Sequence, residues 1–396
     1  MRFWIHLFRH FSAVIWLPLS LAGQVIELDP AISRDEGVLS VRVESSEDAL
    51  AAVARKALSL HGRFTVETGE SAVLRLQFEP SGRESVLLRI QESEGKEQVR
   101  KIHGTDTTDA VLRACDLVVE WSTGLKGFFA GKLAFVGKRR GVAEIYATNL
   151  LFRDVRALTS DRSLVTGPSW SHDGMRLLYT TYHKSGFPDI YEIDLLAGER
   201  SPVATYRGTN TGGRYSPDGQ RMAMVLSGTG NTELWVANKD GGDRRRLTKN
   251  NSLEASPSWS PDGQRLVFTS DQAGRPQLYE ISSAGGPMRR LRTQVSRYCA
   301  EPAWNPVHPE QIAFTAAVKG SFQLYLYDRR KQTSRPLTSG PGDALESCWL
   351  NDGRHLIYTQ RNGGSTRLKL LDSVTGKSTA LHRSSVGQTA SASFVY

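Results

Sequence analysis

The chain has 396 residues and a formal net charge of +9, which is enough length for one large β domain beside a smaller one. The charge is uneven, because residues 24–125 carry 12 Lys and Arg against 18 Asp and Glu, whereas residues 126–396 carry 36 against 23. A basic domain can indicate a nucleic-acid partner, but these basic residues stand in short runs at predicted turns and outer strands, not in one groove, so we expect no nucleic-acid binding.

Residues 1–22 have the pattern of a secretory signal peptide. Arg2 and Arg9 give a basic start, residues 11–19 form a short apolar core, and Ser20–Ala22 offers small residues before a cut. A single membrane anchor is the alternative, but the apolar run is shorter than the roughly 18–20 residues that a membrane span requires. We therefore expect an exported chain that is at most peripheral to the membrane.

Residues 23–125 predict a small α/β domain. Ser46 is a candidate N-cap for a first helix, along which Leu50, Val53 and Ala57 would line one face. The sequence predicts strands at residues 38–43, 72–78 and 85–90, and helices at residues 46–58 and 108–121. Thr123–Gly127 is the predicted joint to the rest of the chain.

Beyond residue 126 an aromatic residue recurs about every 45 positions, at Trp170, Tyr215, Trp259, Trp304, Trp349 and Phe394. The clearest copy reads Pro257-Ser-Trp-Ser-Pro-Asp-Gly263, in which Pro fixes φ and Gly accepts a positive φ in a tight turn. The apolar runs Arg265–Thr269 and Gln277–Ile281 follow it as strands, and Arg289–Leu291 as an outer strand. Four short antiparallel strands per repeat are typical of a propeller blade.

The second strand of this repeat recurs six times, from Leu133–Phe135 to Leu356–Tyr358, which predicts six blades. The first copy has no aromatic turn before it, and the chain ends on an unpaired copy, Ala390–Tyr396. Placing that last strand in the first blade removes two open sheet edges. The predicted fold is therefore mainly β: a six-bladed β-propeller over residues 126–396, closed by the C-terminal strand and preceded by the small α/β domain.

Several residue types that can carry catalysis recur in the propeller. Asp173, Asp218, Asp262 and Asp352 could indicate acid–base chemistry, but an Asp beside Gly also accepts backbone N–H bonds in a turn. Some propeller lyases bind metal through histidines. In this chain the propeller histidines occupy unrelated places in their blades, so we expect them to be surface residues and expect no metal or cofactor. These histidines are His172, His183, His308 and His355. The chain contains no Gly-x-Ser-x-Gly nucleophile elbow.

The three cysteines are an odd number, so at least one thiol is free. Cys299 and Cys348 fall at different heights of adjacent blades, and we expect no disulfide between them. A propeller enzyme and a free-standing sensor or carbohydrate-binding propeller are the alternatives to a protein-binding scaffold.

One face of a propeller carries the loops that enter the innermost strands, and the other carries the Asp-Gly turns. The candidate binding loops on the first face are 160–167, 207–213, 249–256, 293–301, 339–347 and 384–390. Within them the candidate partner contacts are Arg207, Thr209, Asn210, Asn251, Glu254, Arg292, Arg297, Tyr298 and Glu301. Arg and Tyr are typical interface anchors, although solvated loops also explain such residues.

Three features resemble the TolB family, the periplasmic propellers of the Tol–Pal system. They are Thr123–Phe128 leading into the strand Lys132–Val136, the run Phe268–Gln277, and the order of signal peptide, α/β domain, six blades and closing strand. The resemblance implies a monomeric periplasmic binding protein without catalytic activity. It also implies that the channel mouth binds a Pal-like peptidoglycan-associated lipoprotein, in a system that keeps the outer membrane attached and drawn inward at cell division.

The resemblance further implies a contact between the extreme N-terminus and a TolA-like protein. Here Gln24–Leu28 is only weakly similar to the segment that the family uses, and the α/β domain is shorter. At the mouth, Thr209 stands where the family often has His, and Arg292 where it often has Thr. These departures predict altered contacts to the partners.

Overall fold

The computed structural model describes residues 37–396 apart from residues 70, 94 and 96. The predicted signal peptide and the segment Gln24–Leu28 lie outside the described residues. Neither helix α1 (Asp48–Leu60) nor helix α2 (Thr107–Thr123), the α-helices of the described part, is long and apolar enough to cross a membrane.

The N-terminal part is a five-stranded mixed sheet with both helices packed against it. In sheet order its strands are Phe64–Glu67, Leu39–Glu44, Leu74–Pro80, Ser85–Glu92 and Glu97–His103. The first three strands in this order run parallel and the others antiparallel. Leu50, Val53 and Ala57 of α1 are buried, as their spacing predicts. The two edge strands were not predicted, because neither shows a clear apolar alternation.

The predicted N-cap of α1 is wrong. The helix starts one residue later, after Glu47, which makes no side-chain cap bond. Both the amide and the hydroxyl of Ser46 instead donate to the carboxylate of Glu79, on the strand Leu74–Pro80. Ser46 therefore attaches the start of α1 to the sheet and does not satisfy the free N–H groups of the helix.

The remaining chain forms six four-stranded antiparallel sheets, which confirms the six-bladed propeller. From the channel outward, blade one consists of Gln388–Val395, Lys132–Arg139, Val142–Asn149 and Arg156–Ala157. Blade two consists of Val165–Trp170, Arg176–Thr181, Asp189–Asp194 and Glu199–Ala204. Blade three consists of Asn210–Tyr215, Arg221–Leu226, Glu233–Asn238 and Arg245–Arg246. Blade four consists of Glu254–Trp259, Arg265–Ser270, Gln277–Ser282 and Arg289–Arg290. Blade five consists of Cys299–Trp304, Gln311–Val318, Ser321–Asp328 and Thr333–Pro336. Blade six consists of Asp343–Trp349, His355–Asn362, Ser365–Asp372 and Ser378–Ala380.

The C-terminal strand closes the ring as predicted. Gln388–Val395 pairs with Lys132–Arg139, with Phe394 opposite Leu133. The next blade holds it from the other side, because the amide and the indole Nε1 of Trp170 donate to the Oγ and the carbonyl of Ser393, each at 3.1 Å. Blade one is thus built from both ends of the propeller.

Every innermost strand carries a β-bulge at the same height. The pairing register shifts there in each blade, and one residue adopts a left-handed backbone with φ between 49° and 68°. These residues are Gly167, Gly212, Ser256, Glu301, Glu346 and Ser391. A bulge increases local twist and redirects side chains, so this ring of bulges shapes the channel wall.

A continuous apolar core joins the α/β part to the propeller. It runs from the helices through the buried Phe128 and Phe129 to Leu133 of blade one and Leu350 of blade six. Helix α2 ends at Gly124, whose φ of 68° gives a left-handed C-cap. The predicted domain boundary at residue 125 stays a prediction.

All three cysteines are free thiols, as expected. The expectation that the propeller histidines lie at the surface is wrong for one of them. His172, His183 and His308 are exposed, but His355 is completely buried. The Asp–Gly turns follow the predicted hydrogen bonding, since Asp173 accepts the amide of Met175 at 3.0 Å.

Candidate partner-binding face

The six innermost strands enclose a channel cavity of about 490 Å³. Its wall contains three charged side chains, Arg214, Glu301 and Glu346. Arg214 lies on the strand of blade three and donates to the carbonyl of Gly167 in blade two at 3.1 Å. Burial lowers the pKa of this guanidinium. The channel therefore contains desolvated charges that also connect neighbouring blades.

The two channel carboxylates are held by hydrogen bonds from their own blade and from the next blade. Glu301 accepts the hydroxyl of Thr315 at 2.8 Å and the amide of Glu346 at 3.0 Å. Glu346 accepts the hydroxyl of Ser391, on the closing strand, at 2.6 Å. Burial, with the neighbouring Glu346 carboxylate, raises the pKa of Glu301. The predicted contact Glu301 is thus a wall residue, half-buried and already bonded.

Cys348 is the cysteine that faces this cavity. Burial raises the pKa of its thiol, and its Sγ lies 3.6 Å from the carbonyl of Trp349. A thiol needs a lowered pKa to act as a nucleophile. Cys348 accordingly stays protonated at neutral pH and packs as a small apolar side chain.

The loops that enter the innermost strands form one face around the channel mouth, which we call the mouth face. Four predicted contacts are exposed there, in the loops into blades three, four and five: Arg207, Asn251, Arg292 and Arg297. Thr209 and Tyr298 are half-buried. The Tyr298 ring meets Phe322 edge-on, with ring centroids 5.4 Å apart, so Tyr298 is held in place beside Arg297.

Two predicted contacts, Asn210 and Glu254, lie inside the protein. Asn210 is completely buried and donates to the carbonyl of Tyr206 at 2.7 Å and to the carboxylate of Asp189 at 3.1 Å. Glu254 is 1% exposed and accepts the hydroxyl of Ser270 at 3.0 Å. Burial, together with nearby Glu233, raises the pKa of Glu254 to about 7. Both residues organise their loops, and we leave them out of the proposed contact surface.

Sequence reasoning missed the apolar side chains on this face. Leu164 and Leu253 precede the innermost strands of blades two and four and are 53% and 55% exposed. Phe187, in the loop between the second and third strands of blade two, is 63% exposed, and Tyr206 is 37% exposed. The signal in the sequence was an apolar residue inside an otherwise polar interblade loop. Exposed apolar side chains beside Arg and Tyr are typical of protein interfaces.

The structure is a closed ring of six four-stranded blades with a mouth face that mixes basic and apolar side chains. The family described as "TolB beta propeller domain" matches residues 119–394. The chain belongs to this family, which confirms the resemblance drawn from the sequence.

Two curated relatives show how far the sequence similarity extends. The chain is 33% identical over 190 residues to the Tol-Pal system protein TolB of Anaeromyxobacter dehalogenans, covering 47% of this chain and 43% of the relative. It is 30% identical over 184 residues to that of Bordetella pertussis, covering 45% and 42%. The matched region thus spans less than half the length of these curated relatives.

A solved structure shows the same fold over a longer range. The crystal structure of TolB from Acinetobacter baumannii superposes with a TM-score of 0.79 and covers 92% of this chain and 98% of that one. The two sequences are 18% identical, so this likeness concerns the fold.

Proposed function

We propose that this protein is a periplasmic, non-enzymatic scaffold of the Tol–Pal system. In this proposal the mouth face binds a Pal-like peptidoglycan-associated lipoprotein, and the complex supports outer-membrane integrity and constriction at cell division. The supporting observation is a mouth face on which exposed Arg and apolar side chains stand in consecutive interblade loops of a TolB-family propeller.

The loop from Arg292 to Tyr298 is the proposed centre of the contact. It carries two exposed guanidinium groups and a tyrosine whose position is fixed by Phe322. Arg pairs with carboxylates in a fixed two-pronged geometry, so the matching surface of the partner is expected to be acidic. Leu253, in the preceding interblade loop, would supply apolar area to the same contact.

A second contact, between a TolA-like protein and the N-terminal segment, remains part of the proposal. The segment concerned, Gln24–Leu28, lies outside the described residues. Its support is the family membership of the propeller.

Isothermal calorimetry with the soluble domain of the Pal-like lipoprotein from the same organism tests the main contact. Arg297→Glu should weaken binding at least tenfold, because it replaces an attractive charge with a repulsive one. The matched control is Arg330→Glu, since Arg330 is also exposed but lies in the turn between the third and fourth strands of blade five, on the Asp–Gly face. Equal affinities of Arg297→Glu and the unchanged chain would remove this loop from the interface.

A further inference from the structure

The Asp–Gly turn of blade six differs from the turns of blades two to four. In those blades a Ser hydroxyl bonds to the turn Asp, as Ser171 does to Asp173 at 2.6 Å. Blade six has Leu350 at the Ser position. His355 stands where the other three blades have Arg, and its Nδ1 lies 2.6 Å from the Asp352 carboxylate. The sequence thus replaces a Ser–Asp turn with a buried His–Asp pair.

The α/β part brings a second histidine to this turn. His61 directly follows α1, and its ring centroid lies 4.7 Å from that of His355. Phe128 stacks on His61 at 5.4 Å with an interplanar angle of 13°. The next residue is Gly62, and a Cβ there would meet Asp372 Oδ2 at 2.0 Å, so only glycine allows this close approach.

Both imidazole rings are completely buried, and each has one nitrogen without a hydrogen bond, although His355 Nε2 lies 3.9 Å from Asp372 Oδ2. His61 Nδ1 accepts the amide of Arg63 at 3.2 Å, and His355 Nδ1 is bonded to Asp352. Within the described part of the chain, neither Nε2 atom has a hydrogen-bond partner. Burying an unpaired polar atom costs free energy, so two of them side by side require an explanation.

Two buried carboxylates lie at this site. Asp352 and Asp372 are carboxylates, and one guanidinium, Arg354, pairs with Asp372 at 2.7 and 3.0 Å. The Asp352 carboxylate faces His355 Nδ1 at 2.6 Å and has no guanidinium partner among the described residues.

We propose that His61, Asp352 and His355 bind one divalent transition-metal ion at the junction of the α/β part and blade six. One ligand atom from each residue lies within 4.8 Å of the others. Two imidazole nitrogens and a carboxylate oxygen are a ligand set that suits Zn²⁺. The ion would take the free Nε2 of His61, the Nδ1 of His355 and the Asp352 oxygen that faces this Nδ1. His355 would then carry its proton on Nε2, which lies 3.9 Å from Asp372 Oδ2.

Binding of the metal ion would have two structural consequences. Ligand atoms around a tetrahedral Zn²⁺ ion at about 2.1 Å stand roughly 3.4 Å apart. The 2.6 Å separation between His355 Nδ1 and the Asp352 carboxylate must therefore lengthen, and the wider separations must shorten. Ligation through His61 Nε2 places the proton on Nδ1, which ends the long 3.2 Å hydrogen bond from Arg63. The ion would then fasten the end of α1 to blade six, and its uptake would be coupled to folding because the site is closed to solvent.

Titration of the purified full-length chain, free of any histidine tag and stripped with a chelator, tests the site. We expect one equivalent of Co²⁺ to bind with visible ligand-field bands, and Zn²⁺ to displace it. Saturating Zn²⁺ should raise the Tm by about 3 °C. His61→Gln should lose the bands and the Tm shift, whereas the matched change at the exposed His172, His172→Gln, should keep both.

Two results would overturn the site: less than a tenth of an equivalent bound by the unchanged chain, or bands that persist in folded His61→Gln. Should His61→Gln not fold, X-ray absorption at the zinc edge of the unchanged chain decides the question. Two imidazole ligands support the proposal, and a spectrum without imidazole contradicts it. Neither outcome depends on binding to a Pal-like lipoprotein.

Discussion

At the scale of single residues, Asp116 makes the stability of the joint between α2 and the propeller depend on pH. Its carboxylate accepts the amides of Phe129 and Ala130 at 2.7 and 3.0 Å and the hydroxyl of Tyr396 at 3.0 Å. Burial nevertheless raises its pKa to about 7. The folded protein therefore binds this proton more tightly than the unfolded chain, whose Asp titrates near pH 4.

The stabilisation from that proton is complete below about pH 4 and is lost as the pH rises through 7. It is at most on the order of 4 kcal/mol. Asp116→Asn should therefore flatten the fall in Tm between pH 4 and 7, measured by circular dichroism. The exposed Asp240→Asn serves as control, and equal slopes for both variants would contradict the assignment.

A second residue-scale prediction concerns Gly62. A methyl group added there meets Asp372 Oδ2 at 2.0 Å, whereas one added at Gly69 meets nothing nearer than 3.7 Å. Gly62→Ala should lower the free energy of unfolding by about 1–3 kcal/mol in urea titrations, because a packed junction must shift. Gly69→Ala should change it by much less, and a similar loss in both variants would argue against the close approach.

Residue types in the loops were predictable from the sequence, but the direction of their side chains was not. Asn210 and Glu254 were predicted to stand in loops, but each is the first residue of an innermost strand. Both side chains point inward, where buried backbone and hydroxyl groups need partners. His355 stood in a position that other blades fill with Arg, and only its neighbour His61, 294 positions earlier in the chain, shows why it is buried.

At the scale of strands and helices, the C-terminal strand is the element that closes the propeller ring. Removing residues 390–396 deletes Ser393 and Phe394 and leaves Trp170 without the carbonyl that its indole binds. The truncated chain should melt at least roughly 10 °C lower or lose its cooperative transition. Tyr396→Phe keeps the strand and should cost only about 1 kcal/mol for its hydrogen bond to Asp116. An unchanged melt of the truncated chain would contradict closure.

The strands were predictable because the aromatic period and the Asp–Gly turns repeat along the chain. The ring of bulges was not, because four of its six left-handed residues are not glycine, among them Glu301 and Glu346. A left-handed backbone costs such residues roughly 1–2 kcal/mol. Hydrogen bonds between blades, such as that from the Glu346 amide to Glu301, hold it in place.

At the scale of the whole molecule, the closed ring holds each loop of the mouth face between paired strands of neighbouring blades. Pre-organised loops lower the entropy lost on association. The sequence predicted this face from topology and its basic residues from composition. It did not predict the apolar side chains such as Phe187 and Leu253, because an apolar residue in a loop is equally consistent with burial.

Site-specific photocrosslinking in living cells tests the central claim most directly, namely that the mouth face binds a Pal-like lipoprotein. A photoreactive amino acid at position 297 should give one major adduct that mass spectrometry identifies as an OmpA-like, peptidoglycan-associated lipoprotein. The same amino acid at position 330, on the opposite face of the same blade, should give none of it. Adducts of equal yield at both positions, or an adduct at 297 that contains no such lipoprotein, would contradict the account.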